Sequence, residues 1–403
     1  MINVIGLGYI GLPTSLVLAA HGNQVVGTDC DSDLIADLNQ GRLRFLEDGL
    51  EELYYQARVR GIRFSTDYQE ADVYIVAVPS PYEKRSRKIN VQYIKNAVSS
   101  VIKIAPQKAI LIIESTISPG TIHEYVKPLL IAGHREDIRL AHAPERIIPG
   151  NMIHELSFNN RTIGAEDVST GEEVRALYQS FCRGDIFLTD IKTAEMTKVV
   201  ENTFRDINIA FANELAKICR EAGIDVYEVI RLANRHPRVS ILTPGPGVGG
   251  HCIAVDPWFL VGDYPGLANI ILAARKINDS MPEFVLNRIA MIMDENNIHD
   301  VSRIGLYGLT YKENVNDVRE SPTLQILESM HRHLSSGVQV YDPYVSDKIV
   351  ENQHVAFDTF IQAIDMVVIL VAHDEIKEKA EQLHNKIVFD TRNCLAIKGI
   401  YRL

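Results

Sequence analysis

The chain lacks the features that mark secreted, membrane-spanning and metal-binding proteins. Its 403 residues include five scattered cysteines, at positions 30, 182, 219, 252 and 394, without CxxC spacing. We therefore expect reduced thiols in the cytoplasm and no structural metal. No apolar run approaches the ~20 residues that span a bilayer, and Met1 leads directly into an apolar stretch without a basic leader.

A surplus of positive charge is also missing. Lys and Arg number 41 against 52 Asp and Glu, which gives a formal net charge of -11. Such a chain is not expected to bind nucleic acid or an anionic membrane, and an anionic substrate would need local clusters of Arg and Lys. The length exceeds what one core usually serves, so two or three domains are expected, and the composition fits a soluble globular enzyme.

The N-terminal pattern is strand, glycine turn, helix. An apolar stretch, residues 2–5, leads into Gly6-Leu-Gly8-Tyr-Ile-Gly11, and helical spacing follows. The first glycine makes the turn, the second lets the backbone reach a pyrophosphate, and the third allows close packing. A second predicted strand ends on Asp29, placed to bond ribose hydroxyls and to repel the 2′-phosphate of NADP. The pattern predicts an NAD-binding Rossmann domain, with an incidental glycine turn as the alternative.

Two more apolar β-branched runs, residues 72–78 and 109–113, complete a doubly wound parallel sheet. Ligands of such sheets lie beyond the carboxyl ends of the strands, where Ser80 and Thr116 follow. A third loop carries Glu145 beside Arg146. All three also have an interpretation as ordinary loops.

A long helix is predicted from about Ile191 to Gly223, because no proline or glycine interrupts it and Asp190 can cap its start. The side chains of Lys198, Asn202 and Arg205 share one side of the helix. From their spacing alone, we interpret this side as a solvated face. The opposite side carries an apolar stripe: Val200, Phe204, Ile207, Phe211, Leu215 and Ile218. A helix of ~45 Å is expected to join domains and to build a dimer.

Four glycines crowd the eight residues before Cys252, in the stretch from Pro244 to Trp258. Such a loop indicates positive φ angles or a close approach of backbone to a ligand, which would offer the thiol for chemistry. The alternative is a turn between helices with the thiol packed as a small hydrophobe. Asp256 favours chemistry, because a carboxylate there can deprotonate a water.

Residues 303–309, 339–341, 366–371 and 386–389 are predicted strands of a second, smaller doubly wound sheet. The predicted fold is therefore α/β, with two Rossmann-like doubly wound parallel-sheet domains joined by a long central helix. The expected boundaries are 1–190 for the NAD-binding domain, 191–296 for the central helical domain and 297–403 for the C-terminal domain.

With the glycine turn, the motifs Ala194-Glu-Met-Thr-Lys-Val-Val-Glu-Asn-Thr and Gly249-Gly-His-Cys-Ile-Ala-Val-Asp-Pro make the chain resemble the UDP-glucose/GDP-mannose dehydrogenase family from end to end. The run around Cys252 looks like the branch that oxidises UDP-N-acetyl-D-mannosamine. His251 stands where glucose-specific members usually carry serine, which puts UDP-glucose in doubt.

The resemblance implies a role for each matching residue. Cys252 would be the nucleophile, Lys198 a proton donor or acceptor, and Asn202 its neighbour at the oxyanion, so the solvated face inferred from spacing is reversed. Asp256, Glu145 and Thr116 complete the expected catalytic set. The expected cofactor residues are Gly6, Gly8, Tyr9, Ile10, Gly11, Asp29, Ser80, Thr116 and Arg319. The expected UDP-sugar residues are Arg146, Ile147, Lys198, Asn202, Arg205, His236, Arg238, Gly249, Tyr311 and Lys312.

The predicted function is NAD-dependent, four-electron oxidation of the C6 alcohol of a UDP-N-acetylhexosamine to the uronate, for surface polysaccharide precursors. UDP-N-acetyl-D-mannosamine is the preferred substrate, and UDP-GlcNAc, UDP-GalNAc and UDP-glucose are alternatives. The C-terminal domain would bind the UDP-sugar and close a cleft with the first domain. A two-electron β-hydroxyacid dehydrogenase would share the Rossmann domain and the Lys-x-x-x-Asn helix but would not use Cys252. A non-catalytic sensor would bind the same ligands without turnover. The expected assembly is a homodimer through the central helix.

Overall fold

A computed structural model describes residues 1–250, 252–332 and 337–403. The chain divides into two compact units. The first comprises residues 1–201 and 258–263, and the second comprises residues 202–257 and 264–403. The boundaries expected at 190/191 and 296/297 remain predictions.

The first unit is built on an eight-stranded sheet. Its strands are β1 (Ile2–Ile5), β2 (Val25–Thr28), β3 (Arg63–Ser65), β4 (Val73–Val76), β5 (Ile110–Ile113), β6 (Arg139–His142), β7 (Arg161–Ala165) and β8 (Ile186–Thr189). Their order is β3-β2-β1-β4-β5-β6-β7-β8. All neighbours are parallel except β6 and β7, which are antiparallel. The sequence did not indicate β3, β6, β7 or β8. The strands β3 and β8 are short and partly exposed, and β6 and β7 each begin with an arginine.

Helices cover this sheet and bury its two apolar faces in separate clusters. They are α1 (Gly11–Ala20), α2 (Ser32–Asn39), α3 (Leu50–Val59), α4 (Gln92–Ile104), α5 (Lys127–Ala132), α6 (Met152–Phe158) and α7 (Val168–Gln179), with a π-helical turn at Ile122–Val126. The central strands β1 and β5 are buried throughout, as expected of strands covered on both faces.

The long helix α8 (Ile191–Glu221) has 31 residues, as predicted. Asp190 caps it, accepting hydrogen bonds from the Thr193 amide at 2.9 Å and the Thr193 hydroxyl at 2.6 Å. The stripe of large apolar side chains does not face the core: Phe204 is 68% exposed and Phe211 50%. The buried face instead carries small residues such as Ala212 and Ala216, which allow close packing.

The second unit contains a six-stranded parallel sheet. Its strands are β9 (Ile304–Tyr307), β10 (Gln339–Tyr341), β11 (Gln353–His354), β12 (Met366–Ile369), β13 (Ile387–Asp390) and β14 (Tyr401–Arg402). Their order, β11-β10-β9-β12-β13-β14, repeats the arrangement of β3-β2-β1-β4-β5-β6 in the first unit. The predicted second doubly wound sheet is therefore confirmed.

The remaining helices are α9 (Val226–Ala233), α10 (Asp256–Asp263), α11 (Asn269–Asp279), α12 (Met281–Glu295), α13 (Pro322–Arg332), α14 (Phe357–Ala363) and α15 (Asp374–Glu378), with 3-10 turns at Val301–Arg303 and Ala380–Leu383. Apolar residues of α8, α9 and α12 share one core cluster with the second sheet. Within residues 1–250, 252–332 and 337–403, no helix is long and apolar enough to span a bilayer.

Candidate active site

The glycine turn after β1 places a carboxylate beside the start of α1. The Leu7 amide donates to Asp29 at 2.7 Å. Gly6 has a φ of +88°, and a Cβ on Gly11 would lie 1.8 Å from the Gly6 carbonyl oxygen. Both positions therefore require glycine. The Gly6 amide donates to the Thr28 carbonyl at 2.8 Å, which joins the turn to the end of β2.

This turn fits a dinucleotide. A Cβ on Gly8 would meet nothing within 4 Å, so the space outside the turn is open where a pyrophosphate would approach the helix N-terminus. Ile10 immediately precedes α1, and no side chain within the described part of the chain caps that helix. Tyr9 stacks on Phe45 with ring centroids 4.5 Å apart, which orders the rim of the turn.

The loops after β4 and β5 lie side by side. The Ser115 hydroxyl donates to the Val78 carbonyl at 2.7 Å, which joins the loop leading to Ser80 to the loop leading to Thr116. Ser80 and Thr116 are both half-buried. Both therefore lie at the carboxyl ends of the strands, as predicted.

Glu145 lies in a buried ion pair that the sequence did not indicate. Its carboxylate accepts from the Arg161 guanidinium at 2.5 Å and from the Arg146 amide at 2.6 Å. The Arg161 guanidinium also lies over the ring of Tyr178, 4.8 Å from its centroid. Arg161 was missed because it begins a strand 16 residues further along the chain, where periodicity carries no sign of a partner.

A second carboxylate, Glu114, is buried beside that ion pair. Tyr178 donates to Glu114 at 3.0 Å. Burial, and then repulsion by Glu145, raise the pKa of Glu114 well above its usual range, against the opposing effect of Arg161. The first unit therefore holds a carboxyl group that favours its protonated form.

Two expected substrate residues of this loop are already engaged. Arg146 pairs with Glu201 at 2.6 Å and donates to Thr162 at 3.3 Å. The side chain of Ile147 belongs to the apolar core of the first unit. A contact between Ile147 and a sugar would therefore have to use its backbone.

Helix α8 carries four polar residues of interest with different burial. Lys198 is 7% exposed, so the solvated face that spacing alone favours is wrong for it. Asn202 is half-buried and Arg205 exposed. Glu195, which the sequence did not single out, accepts from the Ile122 amide at 3.0 Å and from the Gly120 amide. Burial raises the pKa of Glu195 to about 7, although those backbone donors act to lower it.

Cys252 is exposed at the end of the glycine-rich loop. Its carbonyl accepts from the amides of Val255, at 3.1 Å, and Asp256, at 2.9 Å, forming the turn that starts α10. Asp256 is buried, and Asn202 of α8 donates to its carboxylate at 2.5 Å. Within the second unit, two predicted catalytic side chains, Asn202 and Asp256, are thus brought together beside the thiol turn.

The glycines of this loop permit close backbone packing. The Gly250 amide donates to the Arg319 carbonyl at 2.9 Å, and Gly250 has a φ of +82°. A Cβ on Gly249 would lie 2.7 Å from both the Glu320 carbonyl oxygen and the Cβ of Tyr311. These contacts explain why glycine occurs at both positions. They join the glycine-rich loop that ends at Cys252, here called the thiol loop, to the loop after β9.

The loop after β9, in the second unit, carries three of the predicted ligand-binding residues: Tyr311, Lys312 and Arg319. Tyr311 and Lys312 are half-buried. The Arg319 guanidinium donates to Asp317 at 2.6 Å and 2.9 Å, so the structure shows its charge paired within the loop.

Two more expected substrate residues, His236 and Arg238, are exposed after α9, where the Arg238 amide donates to His236 Nδ1 at 3.3 Å. His251 lies outside the described residues.

Comparison with known proteins shows which family has this arrangement. Three domain models of the UDP-glucose/GDP-mannose dehydrogenase family match: the NAD binding domain over residues 1–182, the central domain over 192–280 and the UDP binding domain over 305–397. The chain belongs to this family.

The relatives share its whole length. It is 42% identical to the UDP-N-acetyl-D-mannosamine dehydrogenase of Methanocaldococcus jannaschii, covering 97% of this chain and 92% of that one. It is 39% identical to an NDP-N-acetyl-D-galactosaminuronic acid dehydrogenase of Ralstonia nicotianae, and the match covers 99% of this chain and 97% of that one. The solved UDP-D-ManNAc dehydrogenase from Pyrococcus horikoshii superposes with a TM-score of 0.92 at 36% identity, covering 100% and 98%.

As a member of this family, the protein is an NAD-dependent UDP-sugar dehydrogenase, an oxidoreductase. The predicted cofactor, NAD, and the predicted family are confirmed. The match to a UDP binding domain separates the chain from the two-electron β-hydroxyacid dehydrogenase alternative.

Proposed function

We propose that the enzyme oxidises the C6 alcohol of UDP-N-acetyl-D-mannosamine to the carboxylate in two steps, through a thioester on Cys252. The observation that carries the proposal is the exposed thiol placed one turn before a buried carboxylate that Asn202 holds. The names of the relatives support the sugar. UDP-GlcNAc, UDP-GalNAc and UDP-glucose remain alternative substrates. The Ralstonia relative is consistent with UDP-GalNAc, which differs from UDP-N-acetyl-D-mannosamine at C2 and C4.

NAD would accept the hydride in both oxidations, and each oxidation would use one molecule of NAD. After the alcohol has lost a hydride and a proton, the Cys252 thiolate adds to the aldehyde carbon and the oxygen takes a proton, forming a thiohemiacetal. Loss of a second hydride and the hydroxyl proton leaves a thioester. Asp256 accepts a proton from water as the water adds to the thioester carbonyl, the carbon–sulfur bond breaks, and the thiolate leaves.

The other predicted residues would support these steps. Lys198 and Asn202 would stabilise the oxygen anions, and Lys198 would handle protons. Because Arg161 and the Arg146 amide already hold the Glu145 carboxylate, we assign Glu145 a positioning role and not a proton-transfer role.

Ligand binding would fall to the remaining predicted residues. The cofactor positions are those of the glycine turn with Asp29, Ser80, Thr116 and Arg319. Arg146, Arg205, His236, Arg238 and Lys312 would meet the diphosphate and sugar, helped by Ile147, Gly249 and Tyr311.

We propose a homodimer through the exposed stripe of α8. Val200, Phe204, Phe211 and Ile218 are all at least 45% exposed and recur along one side of the helix. Phe204→Glu with Phe211→Glu should convert a dimer to a monomer in sedimentation, whereas Tyr55→Glu, an exposed aromatic of α3, should not. A monomeric wild type would contradict the proposal.

The five cysteines form no disulfide in the described structure and support a cytoplasmic location, where the uronate would enter polysaccharide precursors.

Cys252→Ala tests the mechanism most directly. It should abolish acid formation while leaving NAD and UDP-sugar binding within a few-fold, because the loop is shaped by its glycines. Asp256→Asn should give a burst of NADH and an acyl-enzyme visible by intact mass. Cys30→Ala, at another exposed cysteine, is the control. Acid formation by Cys252→Ala at the wild-type rate, with two NADH per sugar, would sink the mechanism.

The sugar is tested by comparing kcat/KM over a panel of UDP- and GDP-sugars. UDP-N-acetylmannosamine should be the best substrate and UDP-glucose poor or inactive. An equal value for UDP-glucose would refute the assignment.

A further inference from the structure

Residues Trp258–Asp263, here called the docking segment, follow Cys252 closely in the chain but belong to the NAD-binding unit. They form most of α10, which begins at Asp256. The thiol loop therefore continues directly into a segment whose packing partners are the loops after β4 and β5. Nothing in the proposed chemistry uses this segment.

Trp258, the one tryptophan of the chain, is held by two side chains of the segment that follows Ser80. Its ring stacks with Tyr82 at 6.1 Å between centroids and 20° between planes. The Arg87 guanidinium lies 4.5 Å from its centroid. Trp258 is 8% exposed, so these contacts are largely shielded from water.

The end of the docking segment is held by backbone and by a carboxylate. A Cβ on Gly262 would lie 2.3 Å from the Arg87 carbonyl oxygen, a backbone atom that cannot rotate away. The Ser118 hydroxyl donates to the Asp263 carboxylate. Three residues of the docking segment are thus fixed to two cofactor loops.

The loop after β5 also fixes helix α8. The Gly120 and Ile122 amides donate to Glu195, one turn before Lys198. Ser118 lies two residues before Gly120, so one short loop following Thr116 holds both the docking segment and the start of α8. This loop therefore contacts two elements that lead to predicted catalytic residues.

We propose that Trp258, Gly262 and Asp263 are positioning residues that make the placement of the Cys252 loop depend on cofactor occupancy. NAD bound at the loops of Ser80 and Thr116 orders their continuations, which hold α10 and so fix where the thiol turn starts. This inference rests on the proposed function only in taking Cys252 as the reacting group.

The test uses ADP-ribose, which contains both riboses and the pyrophosphate but lacks the nicotinamide that could itself shield the thiol. Alkylation of Cys252 by iodoacetamide is followed by peptide mass spectrometry with and without ADP-ribose. We expect the wild-type rate to change about 5-fold, the lower end of usual coupling between two sites. The fluorescence of Trp258 should change in the same titration.

Trp258→Leu and Ser118→Ala should bind ADP-ribose, measured by calorimetry, but lose the change in alkylation rate. Trp258→Phe, which can still stack on Tyr82, should retain most of it. The proposal would be overturned if ADP-ribose left the alkylation rate of wild-type Cys252 unchanged. It would also be overturned if Trp258→Leu or Ser118→Ala bound ADP-ribose and kept the full change in alkylation rate. If Cys252→Ala made acid normally, the proposed mechanism would fail while the alkylation result would stand.

Discussion

The two sheets of this protein begin with the same construction and use it differently. In the first unit the Gly6 amide donates to the Thr28 carbonyl at 2.8 Å and the Leu7 amide to Asp29 at 2.7 Å. In the second, the Gly308 amide donates to the Tyr341 carbonyl at 2.8 Å, and the Leu309 amide to Asp342 at 2.6 Å. Each turn uses a glycine with positive φ and a carboxylate at the end of the neighbouring strand.

The difference lies in what surrounds each carboxylate. Asp29 is half-buried at the open glycine turn. Asp342 is 3% exposed and also accepts from the Thr310 amide at 3.0 Å and His373 Nε2 at 3.2 Å. His373 Nδ1 accepts from the Asn314 amide at 2.9 Å, which leaves Nε2 to donate. The first carboxylate also accepts from the Asp31 amide at 3.0 Å but stays half-buried, where we expect it to meet a ligand. The second closes its turn internally.

The largest effect should come from breaking the closed turn. Asp342→Ala leaves three backbone amides, those of Leu309, Thr310 and Tyr344, and also His373 without their acceptor. It should therefore lower the free energy of unfolding of the second unit by about 3–5 kcal/mol. Calorimetric melting measures this, with Asp29→Ala as the matched control in the first unit. An unchanged melting transition in Asp342→Ala would show that the two carboxylates are alike.

The open turn should respond in ligand binding. Asp29→Ala removes a charged acceptor for ribose hydroxyls and should weaken NAD binding by about 10- to 100-fold, with little change in melting temperature. Because the 2′-phosphate is no longer repelled, preference for NAD over NADP should relax, and further with Asp29→Arg. Equal use of NAD and NADP by the wild type would contradict the role of Asp29.

The smallest expected effect is on the pH dependence of stability, which should have opposite signs for Glu114 in the first unit and Asp342 in the second. Burial raises the pKa of Glu114, so the native first unit holds a proton that the unfolded chain releases, and its stability falls as pH rises. Burial alone would raise the pKa of Asp342, but His373 and backbone donors lower it, so its contribution is lost only as pH falls.

Glu114→Gln should flatten the decline in melting temperature between about pH 5 and pH 8, by about 2–4 °C for a unit of this size. Glu51→Gln, at an exposed position of α3, should leave the decline unchanged. Parallel wild-type and Glu114→Gln curves would mean that Glu114 ionises as freely in the native state as in the unfolded chain.

The sequence by itself determined the first glycine turn, the long helix and the fold class, because these depend on local rules: strand hydrophobicity, glycine at positive φ, and helix caps. The second glycine turn, at Gly308, lies inside the strand predicted over 303–309 and was not indicated. It also indicated the thiol loop, whose four glycines are local. The tertiary structure decided which side of α8 is buried, since a stripe of small residues can pack more closely than Phe204 and Phe211.

Contacts between distant parts of the chain were likewise beyond the sequence. Arg161 reaches Glu145, Asn202 reaches Asp256 and Arg87 reaches Trp258 across separations that no periodicity encodes. Such pairs form because buried charges and rings need partners, and folding alone determines which partners lie within reach.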